Sequence, residues 1–265
     1  MTQQPHVREA GQGPALVCLH SNAAHGGQWR ALMEQLAPAW HVMAPDSWGS
    51  GKSPEWPSDR VITLADEVAL LAPVLGAAGA GAVLAGHSYG AAVALKAALA
   101  GPRAFRALVL YEPTLFSLIE ADGPAPNDAD GIRTTAAAAG AALDAGDRAG
   151  AARLFIDYWM GPGAYDAMPP ERRAPVADAV VNVRRWWHAL STEATPLAQF
   201  AALDMPVLYL LGERTTAAAR GVARRLAPVL PQVRYLELPG LGHMGPVTHP
   251  AAVNQAIGEF LARLG

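Results

Sequence analysis

A serine between two glycines constrains this chain more than any other feature. The apolar run Ala82–Ala85 leads into Gly86-His87-Ser88-Tyr89-Gly90, and the residues that follow favour a helix. Small residues on both sides of the serine allow the backbone to turn sharply from a strand into a helix, which lifts the hydroxyl above the carboxyl edge of a sheet. Amides at the start of that helix would favour negative charge at the same point. We therefore interpret Ser88 as a candidate nucleophile rather than a simple turn residue.

Short apolar runs alternate with helical patterns along most of the chain. This alternation is typical of parallel βαβ units, and strands that are almost wholly apolar indicate a sheet covered on both faces. We predict an α/β fold with a mostly parallel central sheet and helices on both faces. The predicted strands are 15–19, 41–44, 82–86, 106–111, 206–211 and 233–238, and the predicted helices are 28–37, 63–75, 91–100, 216–229 and 250–263.

The alternation stops between residues 113 and 205. This stretch begins rich in Ala, Gly and Pro, later carries the aromatic segments Phe155–Met160 and Arg184–His188, and shows no clear strand pattern. We predict a core domain formed by residues 1–112 and 206–265. Residues 113–205 are predicted to form an inserted helical cap over the carboxyl ends of the strands.

Composition narrows the range of partners. The net charge of −3 over 265 residues gives no electrostatic reason to expect nucleic acid. The N-terminus lacks the charged-then-apolar plan of a signal peptide, and no apolar run is long enough to span a membrane. We therefore expect a cytoplasmic protein that contacts no membrane. The single cysteine, Cys18, lies in an apolar run and is expected to be a buried core residue.

Three further loops follow predicted strands, and their order gives the chain a family resemblance. They are His20–Trp29, Asp46–Ser53 and Leu238–Gly245. Together with the serine turn, these loops resemble the α/β-hydrolase superfamily, and specifically its capped branch, over nearly the whole chain outside the cap.

The resemblance implies roles for several residues. Asn22 and Tyr89 would supply the backbone N–H groups of an oxyanion hole, and His243 would be the general base. The first loop departs from the family, which usually has His-Gly where this chain has His20-Ser21. The backbone there must tolerate a side chain.

The acid of the triad is the larger departure. Family members usually place an aspartate three residues after the glycine that ends the penultimate strand, and this chain has Thr215 there. Some capped members, including haloalkane dehalogenases, carry the acid at the end of the strand that precedes the cap, where this chain has Glu112. Because a triad is recognised by geometry rather than by sequence position, we predict Glu112 as the acid. Glu213 is the alternative.

The resemblance implies a serine hydrolase that cleaves small to medium apolar carboxylic esters through an acyl-enzyme. The expected partner is a small ester-like substrate, and the protein could form a homodimer. Residues of the cap, most of them aromatic, would line the substrate pocket. Carbon–carbon bond hydrolysis, lactone hydrolysis and a ligand-binding receptor with vestigial activity stay open, since a fold does not fix a substrate. We expect no cofactor and no metal, because the paired loop histidines lack clustered cysteines or carboxylates. The predicted pocket residues are Trp159, Met160, Trp186 and Trp187.

Overall fold

A computed structural model describes residues 3–121, 123 and 125–264. Residues 1, 2 and 265 of the predicted core, and residues 122 and 124 of the predicted cap, lie outside the described residues. The described residues form seven strands in one sheet. The strands are β1 (Val7–Ala10), β2 (Ala15–Leu19), β3 (His41–Pro45), β4 (Ala82–His87), β5 (Phe105–Tyr111), β6 (Val207–Gly212) and β7 (Val233–Leu238).

The sheet has the order β1-β3-β2-β4-β5-β6-β7. Strand β1 pairs with β3 in antiparallel orientation, and every other neighbouring pair is parallel. The sequence prediction omitted β1, because this short edge strand is only partly buried and reads Val-Arg-Glu-Ala rather than as an apolar run.

Long helices cover both faces of the sheet. Alternate residues of β4 show the two sides: Leu84 joins a cluster with residues of α2, α3 and α9, whereas Val83 joins a second cluster with residues of α1 and α11. The predicted α/β fold, with a mostly parallel sheet between helices, is confirmed. The bounds of these helices are α1 (Arg30–Leu36), α2 (Leu64–Ala78), α3 (Tyr89–Ala100), α9 (Ala217–Leu226) and α11 (Pro250–Leu261).

The chain between β5 and β6 is helical, and its described residues contain no strand. The division into a core and a separate cap domain stays a prediction, as does the homodimer. None of the helices in the described part of the chain has the length and apolar character needed to cross a membrane. The helices between β5 and β6 are α4 (Ser117–Glu120), α5 (Asp130–Asp144), α6 (Arg148–Met160), α7 (Pro170–Val180) and α8 (Val183–Ser191), and the short α10 (Gly245–Thr248) follows β7.

Helix α2 begins at a capping box that lies next to the buried residue Glu67. The Thr63 hydroxyl accepts a hydrogen bond from the Asp66 amide, and the Asp66 carboxylate accepts one from the Thr63 amide. Reciprocal bonds of this kind satisfy two donors that a helix start would otherwise leave without partners. Glu67 is the next residue, and its side chain is buried and accepts a hydrogen bond from the Tyr89 hydroxyl.

Candidate active site

Ser88 lies at a strained turn between β4 and α3. Its backbone has φ 55° and ψ −116°, a conformation that side chains rarely adopt. Both flanking glycines are required by close backbone contacts. A Cβ atom on Gly86 would lie 2.5 Å from the carbonyl oxygen of Gly90, and a Cβ atom on Gly90 would lie 2.4 Å from that of Leu19. The sequence Gly-X-Ser-X-Gly thus follows from the space available at this turn.

Ser88, His243 and Glu112 form one hydrogen-bonded line. The Ser88 hydroxyl lies 2.9 Å from His243 Nε2, and His243 Nδ1 lies 2.6 Å from Glu112 Oε2. The three residues are 4%, 2% and 0% exposed. A buried carboxylate against Nδ1 fixes the imidazole tautomer, so that Nε2 is free to accept the serine proton.

Glu112 occupies the first position after β5 and has a positive φ of 45°. Its Oε1 accepts a hydrogen bond from the Gly212 amide at 2.7 Å, and its Oε2 accepts a second from the Thr215 hydroxyl at 2.6 Å. The alternative acid, Glu213, is exposed and accepts a bond from the Gly240 amide at 2.6 Å. Thr215 therefore occupies the position where the family usually has the acid, and its hydroxyl orients the carboxylate of Glu112, the predicted acid. Sequence reasoning missed this contact, although a hydroxyl at that position was the available signal.

The two predicted oxyanion residues flank the serine from different loops. Tyr89 is the first residue of α3, so its amide has no acceptor within the helix. Asn22 lines the same pocket as Ser88. Ser21 precedes Asn22 in the first loop and occupies the position where the family usually has glycine. Its amide and its hydroxyl both donate to Gln28 Oε1, at 3.1 and 2.8 Å, which explains how this loop accommodates a side chain.

A buried network connects this loop to the histidine loop through His87. The His243 carbonyl can only accept, so His87 donates to it from Nε2 at 2.8 Å. His87 Nδ1 is then an acceptor for the Gln28 amide nitrogen at 3.1 Å. Burial, together with the nearby His243, lowers the pKa of His87 well below its ordinary value, which agrees with this neutral form.

The side chain of Tyr89 is fixed by a buried carboxyl group. The Tyr89 hydroxyl donates to Glu67 Oε1 at 3.0 Å, and the Trp48 amide donates to Oε2 at 3.2 Å. Glu67 is 1% exposed, and burial raises the pKa of its carboxyl from 4.5 to about 7. The position of the residue after the nucleophile thus depends on a group that titrates near neutral pH.

Comparison with known proteins places the chain in a family. A family model of the alpha/beta hydrolase fold matches residues 14–250. The chain belongs to the alpha/beta hydrolase family.

Relatives within the alpha/beta hydrolases include named ester hydrolases. The chain is 28% identical over 281 residues to the pimeloyl-[acyl-carrier protein] methyl ester esterase of Xanthomonas campestris pv. campestris (strain B100), covering 98% of this chain and 99% of that protein. It is 40% identical over 113 residues to the lipase LipV of Mycobacterium tuberculosis, covering only 42% of each protein. Among solved structures, a hydrolase from Pseudomonas aeruginosa PA01 superposes with a TM-score of 0.78 at 25% identity, covering 96% of this chain and 93% of that one.

The pocket of this alpha/beta hydrolase is a cavity whose lining includes Ser88 and His243. Helices α5, α6 and α8 supply most of its apolar wall. The ring of Trp159 stacks on the His243 imidazole, with 3.8 Å between ring centroids and 24° between ring planes. Three of the four predicted pocket residues, Trp159, Trp186 and Trp187, line this cavity.

Met160, the fourth residue predicted for the pocket, lies elsewhere. It does not line the cavity, and its side chain is 39% exposed at the end of α6. Successive helix residues point about 100° apart, so a helix that turns Trp159 towards the pocket turns the next residue away. The sequence run alone did not show which of the two adjacent side chains would face inward.

The described residues contain no group of three or more His, Cys, Asp or Glu side chains that could hold a metal. The buried Asp46 carboxylate of the second loop binds groups of the protein itself. It accepts hydrogen bonds from the Gly26 amide at 2.6 Å and the Lys52 amide at 3.0 Å, and it pairs with Arg8 at 2.8 Å. These contacts fix the shape of two loops beside the active site.

Proposed function

We propose that this protein is a serine hydrolase of carboxylic esters. The observation that carries the proposal is the line from Ser88 through His243 to Glu112, with separations of 2.9 and 2.6 Å, at the mouth of an apolar cavity. A nucleophile, a base and an orienting acid in this arrangement are the parts required for covalent acyl transfer. The full-length relatives named as methyl ester esterases support the same class of reaction.

The proposed reaction has two halves. In the first, the Ser88 oxygen attacks the ester carbonyl while His243 Nε2 takes the serine proton, and the same nitrogen then gives that proton to the departing alcohol. In the second, His243 takes a proton from water, the resulting hydroxide attacks the acyl-enzyme, and the proton returns to Ser88 as the acid leaves. Glu112 stabilises the imidazolium in both halves.

The amides of Tyr89 and Asn22 are proposed to bind the oxyanion. Negative charge develops on the carbonyl oxygen when Ser88 attacks, and donors that are already oriented stabilise it without reorganisation. The free amide at the start of α3 also lies at the positive end of the helix dipole. Each such donor contributes about 10²- to 10³-fold to kcat in comparable enzymes.

Small to medium apolar esters are the proposed substrates. The cavity is walled by aromatic and aliphatic side chains, and none of its lining residues is Lys, Arg, Asp or Glu. A lactone is a cyclic ester and would be opened by the same steps. The receptor alternative depended on the lack of an acid after β6, and the carboxylate of Glu112 against His243 supports a hydrolase instead.

The proposal is tested by labelling and turnover together. A fluorophosphonate probe is expected to add once to the folded protein, and p-nitrophenyl esters of increasing acyl length are expected to be hydrolysed. Ser88→Ala should abolish both, whereas the exposed control Ser58→Ala should change neither. Labelling that persists in Ser88→Ala, or folded wild-type protein that neither labels nor hydrolyses any ester, would show that the nucleophile is misassigned.

A further inference from the structure

The pocket wall contains a buried hydroxyl group that the protein itself does not use. Thr114 lies two residues after Glu112 and is 1% exposed. Its Oγ1 has no hydrogen-bond partner among the described residues. Buried hydroxyl groups are almost always paired, because an unpaired one has lost its bonds to water without replacement. The described residues therefore do not supply a partner for the Thr114 hydroxyl.

The position of Thr114 indicates where that partner would come from. Thr114 lines the same cavity as Ser88 and His243, and its neighbours in the wall include Phe116 and Trp187. A second unpartnered polar atom, Asn22 Oδ1, belongs to another residue of this lining. In contrast, Ser117 also has an unpartnered hydroxyl but does not line the cavity. A molecule that enters the cavity would therefore lie against the part of the wall that contains Thr114.

We infer that Thr114 is a specificity-determining residue that binds an oxygen atom of the substrate, which is an ester bearing a hydroxyl or keto group on its acyl chain. This inference rests on the proposed function of the site. A threonine hydroxyl both donates and accepts, so it can pair with either group. A carboxylate substituent fits poorly, because no lining residue is a Lys or Arg that would compensate its charge.

A site that hydrogen-bonds a polar group of its substrate discriminates strongly against substrates that lack this group. A substrate without that group leaves the buried hydroxyl unpaired in the complex, and the site then rejects it.

The test compares matched esters in matched variants. Ethyl butanoate is paired with ethyl 3-hydroxybutanoate and ethyl 3-oxobutanoate, and ethyl pentanoate with ethyl 4-oxopentanoate, so that two distances from the carbonyl are sampled. Thr114→Val keeps the shape and removes the hydroxyl, Thr114→Ser keeps the hydroxyl, and Ser117→Ala is the control outside the cavity. The quantity compared is the kcat/KM of each oxygenated ester divided by that of its plain partner. Differences in intrinsic ester reactivity cancel when this ratio is compared between variants.

The wild type is expected to prefer at least one oxygenated ester over its plain partner, and Thr114→Val should lower that ratio of kcat/KM values by about tenfold or more. Thr114→Ser should retain most of the preference, and Ser117→Ala should retain all of it. Equal ratios in the wild type and Thr114→Val for every pair would overturn the inference while leaving ester hydrolysis intact. Failure of every ester with folded wild-type protein would remove the proposed function and the inference with it.

Thermal unfolding gives an independent check. If the Thr114 hydroxyl has no partner in the free protein, Thr114→Val should melt at the wild-type temperature or above it. A clear drop in Tm would show that the hydroxyl is bonded within the protein. That result would also overturn the inference, whatever the ester ratios are.

Discussion

Replacing Glu112 by glutamine tests the proposed triad most directly, because the contacts of this carboxylate determine how the amide must sit. Oε1 faces the Gly212 amide, which can only donate. The glutamine oxygen must therefore take that position, and its NH₂ group falls where Oε2 now lies. There it faces the Thr215 hydroxyl and His243 Nδ1, which are 2.6 Å from Oε2 in the wild type.

The consequence for the histidine follows from the NH₂ group. A donor opposite Nδ1 makes that nitrogen an acceptor, so the imidazole proton moves to Nε2, which faces the Ser88 hydroxyl at 2.9 Å. In that tautomer His243 cannot take the serine proton. The equivalent change of aspartate to asparagine in a Ser-His-Asp protease lowers kcat by about 10⁴-fold, and we expect a loss of about 10³- to 10⁴-fold here. This corresponds to about 4 to 5.5 kcal/mol of transition-state stabilisation.

The assay is kcat for the best p-nitrophenyl ester, read only after a melting curve shows that Glu112→Gln is folded. Glu213→Gln should change kcat by less than about twofold, since that side chain is exposed and bonded to Gly240. Thr215→Val removes one of the hydrogen bonds that orient the acid and should cost about tenfold. If folded Glu112→Gln retains kcat within tenfold of the wild type, or if Glu213→Gln shows the large loss instead, the assignment of the acid is wrong.

Two further predictions concern stability and the pocket. Because burial raises the pKa of Glu67 from 4.5 to about 7, the folded protein holds a proton that the unfolded chain releases, so this group makes stability fall as pH rises through that window. The loss in the free energy of unfolding is on the order of 3 kcal/mol. Urea unfolding of Glu67→Gln should therefore show a pH dependence of that free energy that is smaller by this amount between pH 5 and pH 8. An identical pH dependence in both proteins would contradict the prediction. Trp187→Ala should shift the preferred acyl length upwards by enlarging the cavity, with fluorophosphonate labelling unchanged within about threefold, whereas an unchanged acyl-length profile would remove this side chain from the pocket. Trp186→Ala should act in the same way at a greater cost in stability, because Trp186 is more deeply buried.

The central strands were predictable because burial on both faces leaves little choice of residue. Strand β2 spans Ala15–Leu19, as predicted, and β6 spans Val207–Gly212 against a predicted 206–211. A strand between two helical layers is apolar at nearly every position, so it stands out in the sequence as a short apolar run. Strand β1 lacks this mark, since one edge and part of its surface face solvent, and it was missed.

Polar networks were less predictable than strands because their members come from distant loops. Ser21, Gln28 and His87 are joined by hydrogen bonds, and His87 is bonded in turn to the His243 carbonyl. Each residue alone has an ordinary explanation as a turn or packing residue. Only the fold, which brings the first loop, the end of β4 and the histidine loop together at one sheet edge, shows that these residues form one hydrogen-bonded network.

The relocated acid shows why the fold constrains a triad more than the sequence order does. Strands β5 and β6 are parallel neighbours, with Tyr111 paired with Leu210, so the residues that follow each strand emerge side by side. A carboxylate from either strand can therefore approach the same face of His243. In this chain Glu112 follows β5 and its carboxylate lies against His243. The corresponding position after β6 holds Thr215, whose hydroxyl donates to that carboxylate. A carboxylate at both positions would bring two like charges together in a buried site, at a high electrostatic cost. The Thr215 hydroxyl after β6 avoids this repulsion and orients the Glu112 carboxylate after β5. The departure from the family pattern at Thr215 and the presence of Glu112 are therefore two parts of one arrangement.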